Sequence, residues 1–300
     1  MSVFTATSAS TGRHLLAEGP VWVAETSSLL WIDVERGTVF EGHLTDGHID
    51  VDQQFQFDGR VGAAARGDDG SLLVATHDRL VVVEPGGERR GGPRLIPSGV
   101  DSRSNDGAVD PAGRFLVGTL ALDGRESEES LYRLEHDGVL TTLDSDLTLS
   151  NGIAWSPDGT TMYSTDTVPG IIWARDYDVA TGQVGQRRRH LHIEDGFPDG
   201  ICVDSRGSLW VAIWGAGEVR SFTPAGIPGD TVRVPAPHVS SVAFVGDALN
   251  QLLITTASRD VSPAEQLDYP DAGRLFLAHV GVTGLPTALW SASALAPHAR

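Results

Sequence analysis

Three oxygen-bearing side chains, Glu18, Asn151 and Asp199, each stand directly before a glycine that opens an apolar run. The stretches are Glu18-Gly19-Pro20-Val21-Trp22, Asn151-Gly152-Ile153-Ala154-Trp155 and Asp199-Gly200-Ile201-Cys202-Val203, and Asn105-Asp106-Gly107 has the same character. Carboxylate and amide oxygens are hard donors. A site made from Glu18, Asn151 and Asp199 therefore suits calcium, magnesium or manganese before a thiolate-seeking metal, and its two carboxylates balance one divalent charge. Three protein ligands leave positions open for water and a substrate, as in catalytic centres. Asn-Gly and Asp-Gly are also ordinary turn dipeptides, and on spacing alone a shared site and mere turn chemistry are equally supported.

What decides between them is whether the fold brings these residues together. In the stretch that begins at Asn151, Ile153 and Trp155 alternate ahead of Ser156-Pro157-Asp158-Gly159, and Met162 and Ser164 alternate after it. Proline presets φ at the start of the turn and glycine accepts the positive φ that follows, so the segment reads as a β-hairpin. The hairpin recurs. Its lead-in residue falls at positions 18, 61, 106, 151, 199 and 241, a spacing of 42 to 48 residues. Further strand-like runs lie between, among them Leu80-Val81-Val82-Val83 and Ile171-Ile172-Trp173-Ala174, so each repeat has room for about four short strands. Six such units predict an all-β chain, a six-bladed β-propeller forming a single domain over residues 1–300. Closure is expected between residues 3–7 and the strands after Gly273. In a propeller the innermost strands start near the central channel, so the lead-in residues of different repeats converge. Segments 121–130 and 258–272 read as loops over a site, and 292–300 as a frayed end.

The 35 glycines and 16 prolines agree with many tight turns. A net charge of −18 argues against a nucleic-acid partner, whose phosphates demand a basic surface. No run approaches the roughly 18 apolar residues of a membrane span, and the N-terminal residues lack a signal-like apolar core, so a cytoplasmic protein is expected. All 22 basic residues are arginine, which excludes lysine Schiff-base chemistry and a P-loop lysine. Cys202, the single cysteine, sits in an apolar run and reads as a structural thiol. His190 and His192 read as a surface pair, and of the tryptophans Trp214 alone is placed near a pocket.

Four motifs carry a family resemblance. They are Ala17-Glu18-Gly19-Pro20-Val21-Trp22; Ser102-Arg103-Ser104-Asn105-Asp106-Gly107 with Val109-Asp110-Pro111-Ala112-Gly113-Arg114; Ser150-Asn151-Gly152-Ile153-Ala154-Trp155-Ser156; and Phe197-Pro198-Asp199-Gly200-Ile201-Cys202-Val203-Asp204. With them the chain resembles the regucalcin (senescence marker protein), gluconolactonase and luciferin-regenerating family, six-bladed propellers that include sugar lactonases. The resemblance implies one divalent ion (Ca2+, Zn2+, Mn2+ or Mg2+) held by Glu18, Asn151 and Asp199. It implies that Arg103 and Asn105 hold substrate hydroxyls, Asn105 close to the metal. Strict repeat register selects Asp106 instead of Asn105, and the motif is followed here. Asp123 is the substrate contact carried over from the loop after Thr119, where this chain departs from the glutamates of the animal members.

The expected reaction is hydrolysis of a small sugar lactone, of gluconolactone or pentonolactone type, to its aldonic acid. The metal polarises the carbonyl and Asp199 serves as general base. A carboxylate bound to a cation is a poorer base, so an Asp199 that only positions the water is the other form of this scheme. The alternative class is a non-enzymatic calcium-binding or ligand-binding propeller, and a monomer or small homo-oligomer fits either.

Overall fold

A computed structural model describes residues 1–296. The N-terminal residues form β1 (Val3–Thr5) and β2 (Thr7–Ser8). Four consecutive strands then build each of five sheets: β3 (Ala17–Val23), β4 (Ser28–Asp33), β5 (Thr38–Thr45) and β6 (His48–Gln56); β7 (Val61–Arg66), β8 (Leu72–Thr76), β9 (Arg79–Val83) and β10 (Arg89–Arg94); β11 (Ser102–Val109), β12 (Phe115–Ala121), β13 (Glu129–Leu134) and β14 (Leu140–Leu147); β15 (Ser150–Trp155), β16 (Thr161–Asp166), β17 (Ile171–Asp176) and β18 (Arg188–His192); and β19 (Phe197–Val203), β20 (Leu209–Trp214), β21 (Glu218–Phe222) and β22 (Pro228–Arg233). The sixth sheet takes β23 (Val239–Val245), β24 (Gln251–Thr256) and β25 (Phe276–Ala278) from the end of the chain and β2 from its start. The architecture is a six-bladed β-propeller, as the repeats predict.

Ring closure differs from expectation in one respect. The N-terminal residues split between two blades. Thr7 and Ser8 pair antiparallel with Leu277 and Phe276, supplying the missing outer strand of the sixth blade. Val3 to Thr5 instead run parallel to Thr231 to Arg233 as a fifth strand on the fifth blade. The sequence signal, a short polar-apolar alternation, has no feature that separates the two pairings.

Antiparallel order within each blade puts the starts of the innermost strands on one face, here the upper face. The connections from second to third strand and from blade to blade lie on that face too. The hairpin turns joining first to second strands lie on the lower face. Carboxylates organise those turns: Asp110 Oδ1 accepts from the Ala112 and Arg114 amides at 2.9 and 2.8 Å, and Asp204 Oδ1 from the Arg206 and Ser208 amides at 2.9 Å each. The core consists of layers between blades, with Trp31, Trp210, Trp290, Phe115 and Phe276 fully buried.

Of the end expected to fray, Ala292–Leu295 form a short 3-10 helix and the Ala292 amide donates to Asp68 Oδ1 at 3.0 Å, while the segment ahead of it is packed. Gly284 bridges to Asp204, the Trp290 amide donates to the Arg66 carbonyl at 2.8 Å, and the Ser291 amide to that of Gly113 at 2.9 Å. These partners belong to lower-face turns of the fifth, second and third blades, so the segment straps the lower end of the channel. Above it lies a cavity of about 690 Å3, lined from below by residues such as Leu285 and Leu289 and reaching Asp106 and Cys202. Residues 297–300 lie outside the described residues.

Candidate active site at the upper end of the channel

A β-bulge interrupts the innermost strand of every blade close to its start. The register breaks between Glu18 and Val21, Val61 and Ala63, Asn105 and Gly107, Asn151 and Ile153, Pro198 and Ile201, and Val239 and Ser241. A bulge bends its strand and re-aims the side chains beside it. In this register Asn105, not Asp106, matches Glu18 and Asn151 as the last paired residue. Asp106 is itself the bulge residue, with φ of +29°, and Asp199 occupies the same kind of unpaired position after Pro198. Strict repeat register selects Asp106 because in the third blade the glycine follows the bulge residue, whereas in the fourth Gly152 is itself the bulge residue.

Two devices fix where these strands begin. Asp33, at the end of β4, accepts from the Leu15 amide at 2.9 Å, and Asp166, at the end of β16, accepts from the Leu149 amide at 3.0 Å. Each carboxylate thereby pins the chain two or three residues ahead of Glu18 or Asn151. Close approach of neighbouring strands then depends on glycine: a Cβ on Gly152 would lie 2.5 Å from the Asp199 carbonyl oxygen. Asn151 and Asp199 are drawn together across that contact.

Glu18, Asn105, Asn151 and Asp199 are all buried. Burial raises the proton affinity of Glu18, and the charges of Asp199 and Asp106 raise it further, so the three carboxyl groups share one electrostatic environment. Asp199 is likewise raised, by burial and then by Asp106, with the Asn151 amide acting in the opposite direction. Burial alone lifts Asp106 to about 6. Three carboxyl groups pushed up together, with no basic side chain among the described residues hydrogen-bonded to them, describe a place suited to a cation.

The amide of Asn151 has a defined orientation. Thr167 donates its only hydroxyl proton to the Pro198 carbonyl, 2.9 Å away. Its oxygen can then only accept from Asn151, which places Nδ2 on that side at 3.1 Å and Oδ1 on the other. Asn151 Oδ1 is buried without a hydrogen-bond partner, and so is Asp199 Oδ1. Buried oxygens are seldom left unpartnered. Two such oxygens beside the Glu18 carboxyl fit a hard divalent ion. Among the described residues no group of three or more His, Cys, Asp and Glu side chains is arranged to hold a metal, so the fit depends on the amide as third donor.

Arg103 is buried beside this group. Its Nη1 donates to Asn105 Oδ1 at 2.7 Å and to the Ser104 carbonyl at 2.8 Å, while Asn105 Nδ2 donates to the Ser150 carbonyl at 2.9 Å. Burial lowers the Arg103 pKa to about 10, still well above neutrality. Asp123 is exposed, and its carboxylate is held by Arg125 at 2.6 Å. Cys202 lines the channel below, and burial pushes its thiol up, away from the thiolate form. Sequence reasoning missed Thr167, whose only local signal is a hydroxyl at the end of a second strand. Trp214, singled out in the sequence, does reach the upper face, where it stacks on His238 at 4.4 Å.

Fold and site together define a six-bladed propeller with an oxygen-donor centre at one end of its channel. Residues 16–258 match the family described as SMP-30/Gluconolactonase/LRE-like region, and the chain belongs to that family. Among curated relatives, the pentonolactonase XacC of Haloferax volcanii is 33% identical, with 90% of this chain and 93% of the relative covered. Regucalcin of Danio rerio is 31% identical, with 91% and 94% covered. Among solved structures, a calcium-binding protein, regucalcin, from Agrobacterium tumefaciens superposes with a TM-score of 0.90 at 27% identity, covering 97% of this chain and 99% of that one.

Proposed function

We propose that the chain hydrolyses a sugar lactone to its aldonic acid at this centre, with a divalent cation held by Glu18, Asn151 and Asp199. The observation that carries the reading is the pair of unpartnered buried oxygens, Asn151 Oδ1 and Asp199 Oδ1, beside the Glu18 carboxyl. Membership of a family with named lactonases at about the same length supports it. A cation bound there supplies Lewis-acid polarisation of the lactone carbonyl.

The remaining chemistry belongs to the chain. Arg103 and Asn105, tied to each other, present their remaining donors to ring hydroxyls and hold the lactone in one orientation. Asp199 takes the proton of the attacking water. Water adds to the carbonyl carbon, the ring ester C–O bond breaks, and the proton returns to the ring oxygen as it leaves as a hydroxyl. The strap across the lower end leaves the upper face as the route for lactone and product.

The direct test is hydrolysis of gluconolactone, arabinonolactone, xylonolactone and galactonolactone by metal-reconstituted protein, beside a chelated control. Turnover of at least one lactone that chelation abolishes is the expected result. Metal-independent turnover contradicts the mechanism, and no turnover of any lactone with metal bound favours a binding propeller. Thr167→Val tests the donor set separately. Removing the hydroxyl that orients Asn151 is expected to weaken Mn2+ or Ca2+ binding about tenfold or more in calorimetric titration, with Thr167→Ser near wild type. Unchanged affinity in Thr167→Val would show that Asn151 does not depend on this contact.

A further inference from the structure

The mouth of the channel carries basic groups in a chain of net charge −18. Three arginines reach it from three blades. Arg60 comes from the connection leading into β7, Arg103 from β11 and Arg259 from the loop after β24. Arg60 and Arg259 share one half-buried carboxylate. Glu35 Oε2 accepts from Arg60 Nε at 2.8 Å, and Glu35 Oε1 from Arg259 Nη1 at 2.6 Å, so both of its oxygens are taken. Arg103 feels the charges of Glu35, Arg259 and Arg60, while Asp199 feels Arg259 and Arg103. Arg103 and Arg259 thus act electrostatically on Asp199, one of the carboxyl groups proposed to hold the cation. The other acidic neighbour of Arg259, Asp260 at 3.2 Å, is largely in solvent. On the outer side the Arg259 guanidinium lies 5.6 Å from the centre of the Trp214 ring, which holds it over the mouth.

Neutral hydroxyls do not require three converging guanidinium groups. Such forks match planar and tetrahedral oxyanions, to which they donate two hydrogen bonds at once. We infer that the lactone taken by this chain carries an acidic group (carboxylate, sulfonate or phosphate) on the part of the molecule remote from the reacting carbonyl, held by Arg60 and Arg259 with Arg103 between them and the reaction centre. The inference rests on the lactonase reading above and adds the substrate class to it.

The test compares kcat/KM for gluconolactone, glucarolactone and 6-phosphogluconolactone with metal-loaded protein at low and high NaCl. Lactones with an acidic group are expected to be favoured at least tenfold, chiefly through KM, with the preference shrinking as salt rises. The two acidic substrates also separate a carboxylate subsite from a phosphate one. Arg60→Gln and Arg259→Gln are each expected to cut the acidic-to-neutral ratio severalfold, folding being checked by circular dichroism. Equal or better use of the neutral lactone, or a preference that neither substitution alters, overturns the inference. If no lactone is turned over, calorimetric binding of 6-phosphogluconate against gluconate tests the subsite by itself. Tighter binding of the phosphate that is lost in Arg259→Gln sustains it, and equal binding overturns it.

Discussion

Asp199→Asn lowers kcat/KM for a lactone by about 10^3-fold or more, assayed with saturating divalent cation, while circular dichroism and thermal melting remain those of a folded propeller. The size follows from what the carboxyl group does in the proposed mechanism. General-base catalysis contributes about 10^2- to 10^4-fold. Asparagine keeps the shape and one donor oxygen but cannot take a proton, so the loss is one of chemistry and not of structure. Asp199 is also buried against Asp106, so removing its charge relieves repulsion in the metal-free chain. A variant that is inactive yet at least as stable as wild type without metal is therefore the expected combination. Near-normal turnover would remove Asp199 from its role as base and leave it only as a ligand.

The second large effect is on stability. In the metal-free chain Glu18, Asp106 and Asp199 all have raised proton affinity, Asp106 to about 6. In the unfolded chain such groups titrate near 4. Between those values the folded state binds more protons than the unfolded one, so this contribution to stability is present at low pH and is lost as pH rises through the folded pKa values. For Asp106 alone the loss by neutral pH is roughly 3 kcal/mol. In the proposed function a divalent cation binds the ionised groups, which would remove the penalty. The melting-temperature gap between metal-loaded and metal-free protein is thus expected to widen from pH 5 to pH 8, with Asp106→Asn narrowing it by stabilising the metal-free form. At a hundredfold excess over Kd the cation adds about 2.7 kcal/mol, enough for a shift of several degrees. Taking the difference between the two forms cancels the many surface carboxylates that titrate alike in both. A gap that is absent, or constant with pH, would contradict the assignment of these carboxyl groups to a cation.

Much of this was legible in the chain itself. The Pro-Asp-Gly and Asp-x-x-Gly turns, with alternation on both sides, are local signals, and their recurrence about every 45 residues determines the number of blades. The shared lead-in makes Glu18, Asp106, Asn151 and Asp199 candidates together, and the choice of Glu18, Asn151 and Asp199 as the ligand set rests on the family resemblance. What could not be read depends on contacts between repeats. The bulge of the third blade falls on Asp106 and leaves Asn105 as the last paired residue, and no spacing rule reports that. Thr167 acts by bridging Asn151 to the Pro198 carbonyl, a contact between blades. Arg60, Glu35 and Arg259 meet at the mouth although 224 positions separate the last two. The packed course of 284–295 is equally non-local, since its partners are turns of three distant blades.

The split N-terminal pairing has a consequence for how the molecule is made. Val3 pairs with Thr231 and Thr7 with Leu277, so the first strands off the ribosome must wait for the last. At about 5–20 residues per second, translation keeps them without partners for roughly ten to fifty seconds. During that time the growing blades present unpaired strand edges, the feature most prone to joining a neighbouring chain. The ring becomes a closed object only as the sixth blade emerges. The early chain must therefore stay soluble as an open arc, and the excess of acidic over basic residues along it, which keeps like chains apart, serves that interval as well as the finished protein.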